Sequence, residues 1–170
     1  HCLRTSMYAK AFAKEEGLPD KKVEEIELGA LFHDVGKTGV PDRHFEGNPD
    51  EISTEANRRH SFFSFEILNK INPFKDSLAN IALNHHERWN GVGSPNNKKG
   101  DEIPVEASMV SLSDVFDSQT SAKYPGQTKM PVDEAIQELR EYKGKRFNPE
   151  LVEDFIKLVS KDDFALYKQA

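Results

Sequence analysis

Apolar residues recur at three- and four-residue steps along most of this chain, and that spacing predicts helices. A first helix is expected from near the start to Glu16, ending at Gly17 ahead of Leu18-Pro19. Asp20 is placed to cap a second, in which Val23, Ile26, Ala30 and Leu31 share a stripe. His33-Asp34 falls near the C-terminal end of that helix, and Gly36 is a natural stop. From Lys37 to about Thr54 the chain is rich in Gly, Pro and Asp and reads as loop. Phe62, Phe65, Leu68 and Ile71 then mark a helix that ends before Pro73, and Ser77 is the expected cap of the next, with Leu78, Ile81, Ala82 and His85 on one stripe. After a loop from Gly91 to Gly100, Val105 to about Ser121 reads as helix, with Ala107, Val110, Asp114 and Asp117 in line. Val132, Ala135, Ile136, Leu139 and Tyr142 predict another, closed by Gly144. Asn148-Pro149 supplies an N-cap and a proline at the first helical position for a last helix through Leu151, Val152, Phe155 and Val159. No alternating strand and no internal repeat is visible, so the expected fold is an all-α bundle of about seven helices.

The 170 residues suit a single domain, 1–170, with enough chain to bury a core. At 36% hydrophobic and 31% charged the composition is that of a globular protein rich in surface helix. No apolar run approaches the ~18–20 residues of a membrane span, and the N-terminus has no signal-peptide pattern. One cysteine excludes an internal disulfide and suits a reducing cytoplasm, with Cys2 read as a packing residue. The formal charge of −6 argues against DNA as the main partner, while leaving room for a small anion held by a local cluster of cations. The abrupt opening on His1-Cys2-Leu3-Arg4 is the expectation for a domain cut from a longer chain with an N-terminal regulatory domain.

Polar residues on apolar stripes carry the chemistry. His33 and Asp34 follow Ala30-Leu31-Phe32, His85 continues the Leu78-Ile81 stripe with His86 about 100° round the helix, and Asp114 falls in line with Ala107 and Val110. A carboxylate there is costly to bury unless paired or coordinated. Singly, each has an ordinary explanation as a satisfied core histidine or an exposed aspartate. Together His33, Asp34, His60, His85, His86 and Asp114 can converge in one bundle core, as histidine and carboxylate metal sites do. Imidazole and carboxylate without thiolate point to iron, manganese or zinc, and a carboxylate such as Asp34 has two oxygens with which to bridge two ions.

The segment Leu31-Phe32-His33-Asp34-Val35-Gly36-Lys37 resembles the HDxGK signature of the HD phosphohydrolases, and HHERWNGVGSP from His85 to Pro95 resembles the HHERWDGxGYP segment of the HD-GYP subfamily. Glu102-Ile103-Pro104, Ser113-Asp114-Val115-Phe116-Asp117, and Gly144 with Phe147-Asn148-Pro149 extend the match in the right order over almost the whole chain. The resemblance implies an HD-domain helical bundle with a metal centre in its core. The activity it implies is hydrolysis of cyclic di-GMP to pGpG and/or GMP in bacterial second-messenger signalling. Carried over by position, the metal ligands fall on His1, His33, Asp34, His60, His85, His86 and Asp114, with His1 as the histidine of an HxxR segment. Family members with three metals add a glutamate four residues before that histidine, so these residues imply two divalent ions, iron first, with manganese or zinc as alternatives. By the same resemblance Asp34 and Lys37 are catalytic. Lys37 also binds a substrate phosphate, as does Lys123, nine residues after Asp114.

The match breaks at named places. Gly93-Ser94-Pro95 stands where GYP is expected, Asn90 replaces an aspartate, Ser64 replaces a glycine, and Thr120-Ser121-Ala122-Lys123-Tyr124-Pro125 replaces TSxRPY. The tyrosine is not a metal ligand in the family, but its loss removes stacking area and a hydroxyl at the mouth of the site. The family's GYP loop also contacts diguanylate cyclase domains, a partnership that Ser94 alters. Beside the phosphodiesterase stand two alternatives: an HD-GYP-like module that binds metal and nucleotide for signalling or protein interaction, and an HD hydrolase of mono- or trinucleotides or of an alarmone.

Overall fold

A computed structural model of the protein describes residues 1–41, 49–70, 75–121 and 128–161. Among these the chain forms seven α-helices: α1 (Cys2–Glu15), α2 (Asp20–Phe32), α3 (Pro49–Leu68), α4 (Lys75–Asn84), α5 (Val105–Thr120), α6 (Val132–Glu141) and α7 (Pro149–Val159). Short 3₁₀ turns lie at Val35–Gly39 and Gly100–Glu102. The described residues contain no β-strand, only isolated bridges such as Asn90 with Lys99. No helix among them is long and apolar enough to cross a membrane.

Two apolar clusters hold the bundle. The larger joins α1, α2, α5, α6 and α7 through Tyr8, Phe12, Ile26, Phe116, Leu139 and Phe155. Edge-to-face contacts link its rings, with centroids 5.2 Å apart for Phe12 and Phe155 and 5.5 Å for Tyr8 and Phe116. The smaller cluster packs Leu68 of α3 against Leu78, Ala79 and Ala82 of α4.

Several boundaries differ from expectation, each for a physical reason. α3 begins at Pro49, not after Thr54. Its first turns carry no apolar stripe to betray a helix, but Pro49 suits a first helical position and an Arg59–Glu55 pair, 2.6 Å apart, supports its polar surface. Ile71, expected to close this helix, lies outside the described residues. Ser77 is not a cap: α4 starts at Lys75, and the Ser77 hydroxyl donates to Glu25 Oε2 of α2 at 2.9 Å. Asp20 opens α2 as its first residue, with Pro19 as the N-cap, so its charge acts on the helix dipole rather than through a capping hydrogen bond. Asn148 caps α7 as expected, accepting from Glu150 N, and Gly144 turns the chain with φ of +72°.

Two close approaches decide where the site can form. A Cβ on Gly29 of α2 would stand 2.6 Å from Ile81 Cδ1 of α4, so the glycine lets these helices touch near their C-terminal ends. Gly36 is not a helix stop, since α2 already ends at Phe32. A Cβ on Gly36 would lie 2.1 Å from His60 O and 2.3 Å from Ser64 N, so the 35–39 turn lies directly on α3. Ser64, fully buried, closes this contact: its Oγ accepts from Gly36 N and donates to His33 O, both at 2.8 Å.

Removing the Ser64 hydroxyl leaves the buried Gly36 N–H without its acceptor. Ser64→Ala is therefore expected to lower unfolding free energy by about 1–2 kcal/mol in urea denaturation. An unchanged midpoint would show that the hydroxyl does not hold the turn. The α2–α4 contact responds to pH. Burial pushes the Glu25 carboxyl up, but the Ser77 hydroxyl and Lys22 outweigh it and hold it below the usual range. A carboxyl lowered by folding stabilises at neutral pH, and that contribution disappears as pH falls through its folded value. Glu25→Gln should therefore lower the thermal midpoint at about pH 7, with the deficit closing towards about pH 4. A deficit constant across that range would remove the charge from the explanation.

Candidate metal centre

The ends of α2 and α4 present their histidines in the same way. His33 follows the last residue of α2 and its Nδ1 lies 2.6 Å from Ala30 O; His85 follows α4 and its Nδ1 lies 2.7 Å from Ala82 O. A carbonyl only accepts, so each Nδ1 carries the proton and each ring turns its Nε2 away from its own helix. The last carbonyls of a helix lack intrahelical partners, and these bonds satisfy one at each end. Such outer bonds are how metal-binding histidines are oriented.

From α3, fully buried His60 points into the same space, its Nε2 3.5 Å from His85 Nε2 and 3.2 Å from His86 Nε2. Asp34, just past His33, reaches both ways. Its Oδ1 is 3.2 Å from His60 Nε2 and 3.9 Å from His85 Nε2, while its Oδ2 is 3.3 Å from His33 Nε2. On the other side, Asp114 Oδ1 of α5 is 3.0 Å from His1 Nε2 and 3.7 Å from His33 Nε2. Two groups result. The ligating atoms of Asp34, His60, His85 and His86 lie within 4.8 Å of one another, and so do those of His1, His33 and Asp114. Each group can hold a metal ion.

His1 is fixed from behind. Its Nδ1 donates to Asp117 Oδ2 at 2.7 Å, and Asp117 in turn accepts from Arg4 Nε at 2.7 Å and Ser121 Oγ at 3.0 Å. In the sequence, Arg4 is visible only as part of the HxxR segment, while Asp117 also falls in line with Ala107, Val110 and Asp114. The structural signal was their three-residue spacing from His1 and Asp114, which places Asp117 on the Asp114 face of α5 and Arg4 one turn into α1 from its N-cap His1.

Burial and charge act in opposition here. Burial opposes ionisation of Asp34, but His33 outweighs it and holds the carboxyl far below its ordinary value; Asp114 is likewise held well below by His1 and His33. Burial also opposes a proton on His33, yet Asp34 and Asp114 prevail and hold its imidazole well above the usual value. For His85 burial wins, aided by the charge of His33, and carries the ring down to about 3; His86 is driven well below normal by burial and by His85. The centre thus combines ionised carboxylates and a cationic His33 with the neutral rings of His85 and His86. Among the described residues, the buried His33 Nε2 and Asp34 Oδ1 have no hydrogen-bond partner. Ring nitrogens facing one another beside ionised carboxylates are a donor set that a divalent cation satisfies.

The expected ligands therefore meet in one place. Lys37 stands at the solvent side, 44% exposed, with its ammonium donating to Asp34 Oδ2. Lys123 lies outside the described residues. The Gly93-Ser94-Pro95 loop is held by a residue that the sequence did not mark. Glu87 is 3% exposed and accepts from Asn96 N at 2.7 Å and Lys98 N at 3.0 Å. Gly93 packs so closely that a Cβ would lie 2.2 Å from Arg88 N, and Ser94 N donates to His86 O at 3.2 Å. Ser94 itself is buried.

Known proteins place this arrangement. A cyclic di-GMP phosphodiesterase of Thermotoga maritima is 37% identical over 163 residues, covering 93% of this chain and 44% of that protein. The 3′3′-cGAMP-specific phosphodiesterase 2 of Vibrio cholerae is 33% identical over 156 residues, covering 90% of this chain and 30% of its own length. The chain thus spans less than half the length of these relatives. The crystal structure of V-cGAP3, a cyclic GMP-AMP phosphodiesterase of V. cholerae, shares the fold with a TM-score of 0.77 at 21% identity, covering 100% of this chain and 46% of that one. Residues 2–151 match the HD domain family, and the chain belongs to it.

Proposed function

We propose that this domain is a metal-dependent phosphodiesterase that hydrolyses cyclic di-GMP to pGpG and/or GMP. The observation that carries the reading is Asp34, whose two oxygens turn to two different groups of imidazoles. In this reading His1, His33 and Asp114 hold one divalent ion, His60, His85 and His86 hold another, and Asp34 serves both. Iron is the first expectation, with manganese or zinc as alternatives. The named activities of the relatives on cyclic dinucleotides support the substrate class.

When bound, the two cations supply Lewis acidity, activating a water and neutralising charge on phosphoryl oxygens. The chain's own residues do the rest. Asp117 and Arg4 keep the His1 ring oriented, and the backbone carbonyls of Ala30 and Ala82 do the same for His33 and His85. Lys37, at the solvent side of Asp34, meets a phosphate oxygen as a point charge. Exposure falls from His1 and Asp114, at 20% and 14%, to almost nothing at His60 and His85. Substrate therefore approaches over the His1–Asp114 side, and the inner histidines stay shielded from water.

Anaerobic incubation of Fe(II)- or Mn(II)-loaded protein with cyclic di-GMP should yield pGpG or GMP, read by chromatography beside 3′3′-cGAMP, nucleoside triphosphates and an alarmone. Binding without turnover would favour the signalling-module reading, and preference for a mononucleotide would replace the substrate. His33→Ala and Asp34→Ala should each abolish both metal loading and turnover; full metal content in either would refute the ligand assignment. Asp117→Asn keeps the fold but weakens the hold on His1, so metal affinity should fall about 10- to 100-fold in a chelator competition. Wild-type affinity there would remove Asp117 from the centre.

A further inference from the structure

The outer face of α3 carries aromatic side chains that neither apolar cluster takes in. Phe62 and Phe63 are 41% and 38% exposed, and Ile67 beside them is exposed as well. Single apolar residues on a surface are ordinary, but neighbouring ones rimmed by charge mark a contact surface. At about 100° per residue, Glu55, Arg59, Phe62, Phe63 and Glu66 fall within an arc of about 100° on this helix. All five are exposed, while His60 and Ser64 on the opposite side are fully buried. The helix that carries His60 inward thus presents a separate face to solvent. Phe63 is also held from one side: a Cβ on Gly39 would stand 3.4 Å from its ring, so the ring lies on the 35–39 turn.

The charges along this face decide what fits it. Arg59 lies three residues before Phe62, and Glu66 three after Phe63. Glu55 lies seven before Phe62, and Lys70 seven after Phe63. Lys70 stands in the turn that closes the helix, its N–H donating to Ile67 O at 3.2 Å. Each pair joins opposite signs at equal distances from the point midway between the two rings. Turned about a two-fold axis through that point, a second α3 runs antiparallel to the first. It sets Arg59 opposite Glu66, Glu55 opposite Lys70, and ring against ring. The face is therefore complementary to itself, whereas an all-acidic or all-basic partner would meet like charge along it. Within one chain Arg59 meets Glu55 at 2.6 Å, and Glu66 and Lys70 form no ion pair among the described residues. The several N–H donors of a guanidinium let Arg59 hold Glu55 and Glu66 of the second copy together.

We propose that this domain forms a homodimer in which α3 pairs antiparallel with α3 of a second copy, centred on Phe62 and Phe63. The interface is a small one, so the expected dissociation constant is about 10 µM. Sedimentation velocity of the Mn(II)-loaded protein from about 1 to about 200 µM should show the average mass climbing from one chain towards two. Arg59→Glu and Glu66→Arg should each weaken the dimer at least about tenfold, because each sets like charges opposite one another twice. Mixed in equal amounts, these two variants should pair with each other at about wild-type affinity, since every contact then joins opposite signs again. Phe62→Ser should weaken pairing by at least about tenfold as well. All three positions are exposed, and thermal midpoints separate loss of pairing from loss of fold. A one-chain mass for the wild type across the range would overturn the proposal. So would a dimer that all three variants leave intact, or a mixture that pairs no better than its parts.

Discussion

Everything in this domain is arranged around one carboxylate. Asp34 sits at the meeting of two imidazole groups, with one oxygen towards His60 and the other towards His33, and its side chain is only 9% exposed. A charge at that depth is tolerable only if cations or their equivalents surround it. That requirement draws the ends of α2 and α4, the middle of α3, the start of α1 and the inner face of α5 to one point. Gly29 and Gly36 permit it, since side chains there would meet Ile81 and the α3 backbone. The two apolar clusters then fix the helices that carry the donors.

Orientation comes from groups one layer out. Helix-end carbonyls orient His33 and His85, one in each half of the centre, and the Arg4–Asp117 pair orients His1. Ser64 adds a third by tying the backbone of His33 and Gly36 to the helix that carries His60. A serine stands here where the resembled family has glycine, and its hydroxyl spans two buried backbone groups that would otherwise go without it. The departure strengthens the joint between the HD turn and α3.

The sequence made most of this legible, but unevenly. Helices with an apolar stripe, such as α5 and α7, could be read to within a residue or so at their ends. The donors could be read because a histidine or aspartate on such a stripe is anomalous, as with His85 and Asp114. The start of α3 could not, because its first turns are polar and a helix there leaves no periodic trace. Ser77 has the local chemistry of a cap, and only the position of Glu25 across the helix interface gives it another role. Glu87 was hidden for the same reason: its partners are backbone amides nine and eleven residues away, which no local pattern encodes.

That last residue bears on the altered loop. If an aromatic at position 94 were needed to shape the segment, a serine there should leave it without support. Instead the segment is pinned by Glu87 to the amides of Asn96 and Lys98, by Ser94 N to His86 O, and by the close fit of Gly93 under Arg88. None of these depends on the side chain at 94, which is buried. The backbone path is thus set by the same stretch that supplies His85 and His86, and the loop inherits the rigidity of the metal centre. What the substitution changes is the surface offered to a ligand or partner. Affinity withdrawn from an aromatic contact is then left to charge and hydrogen bonding, and the cations along this segment are Arg88, Lys98 and Lys99.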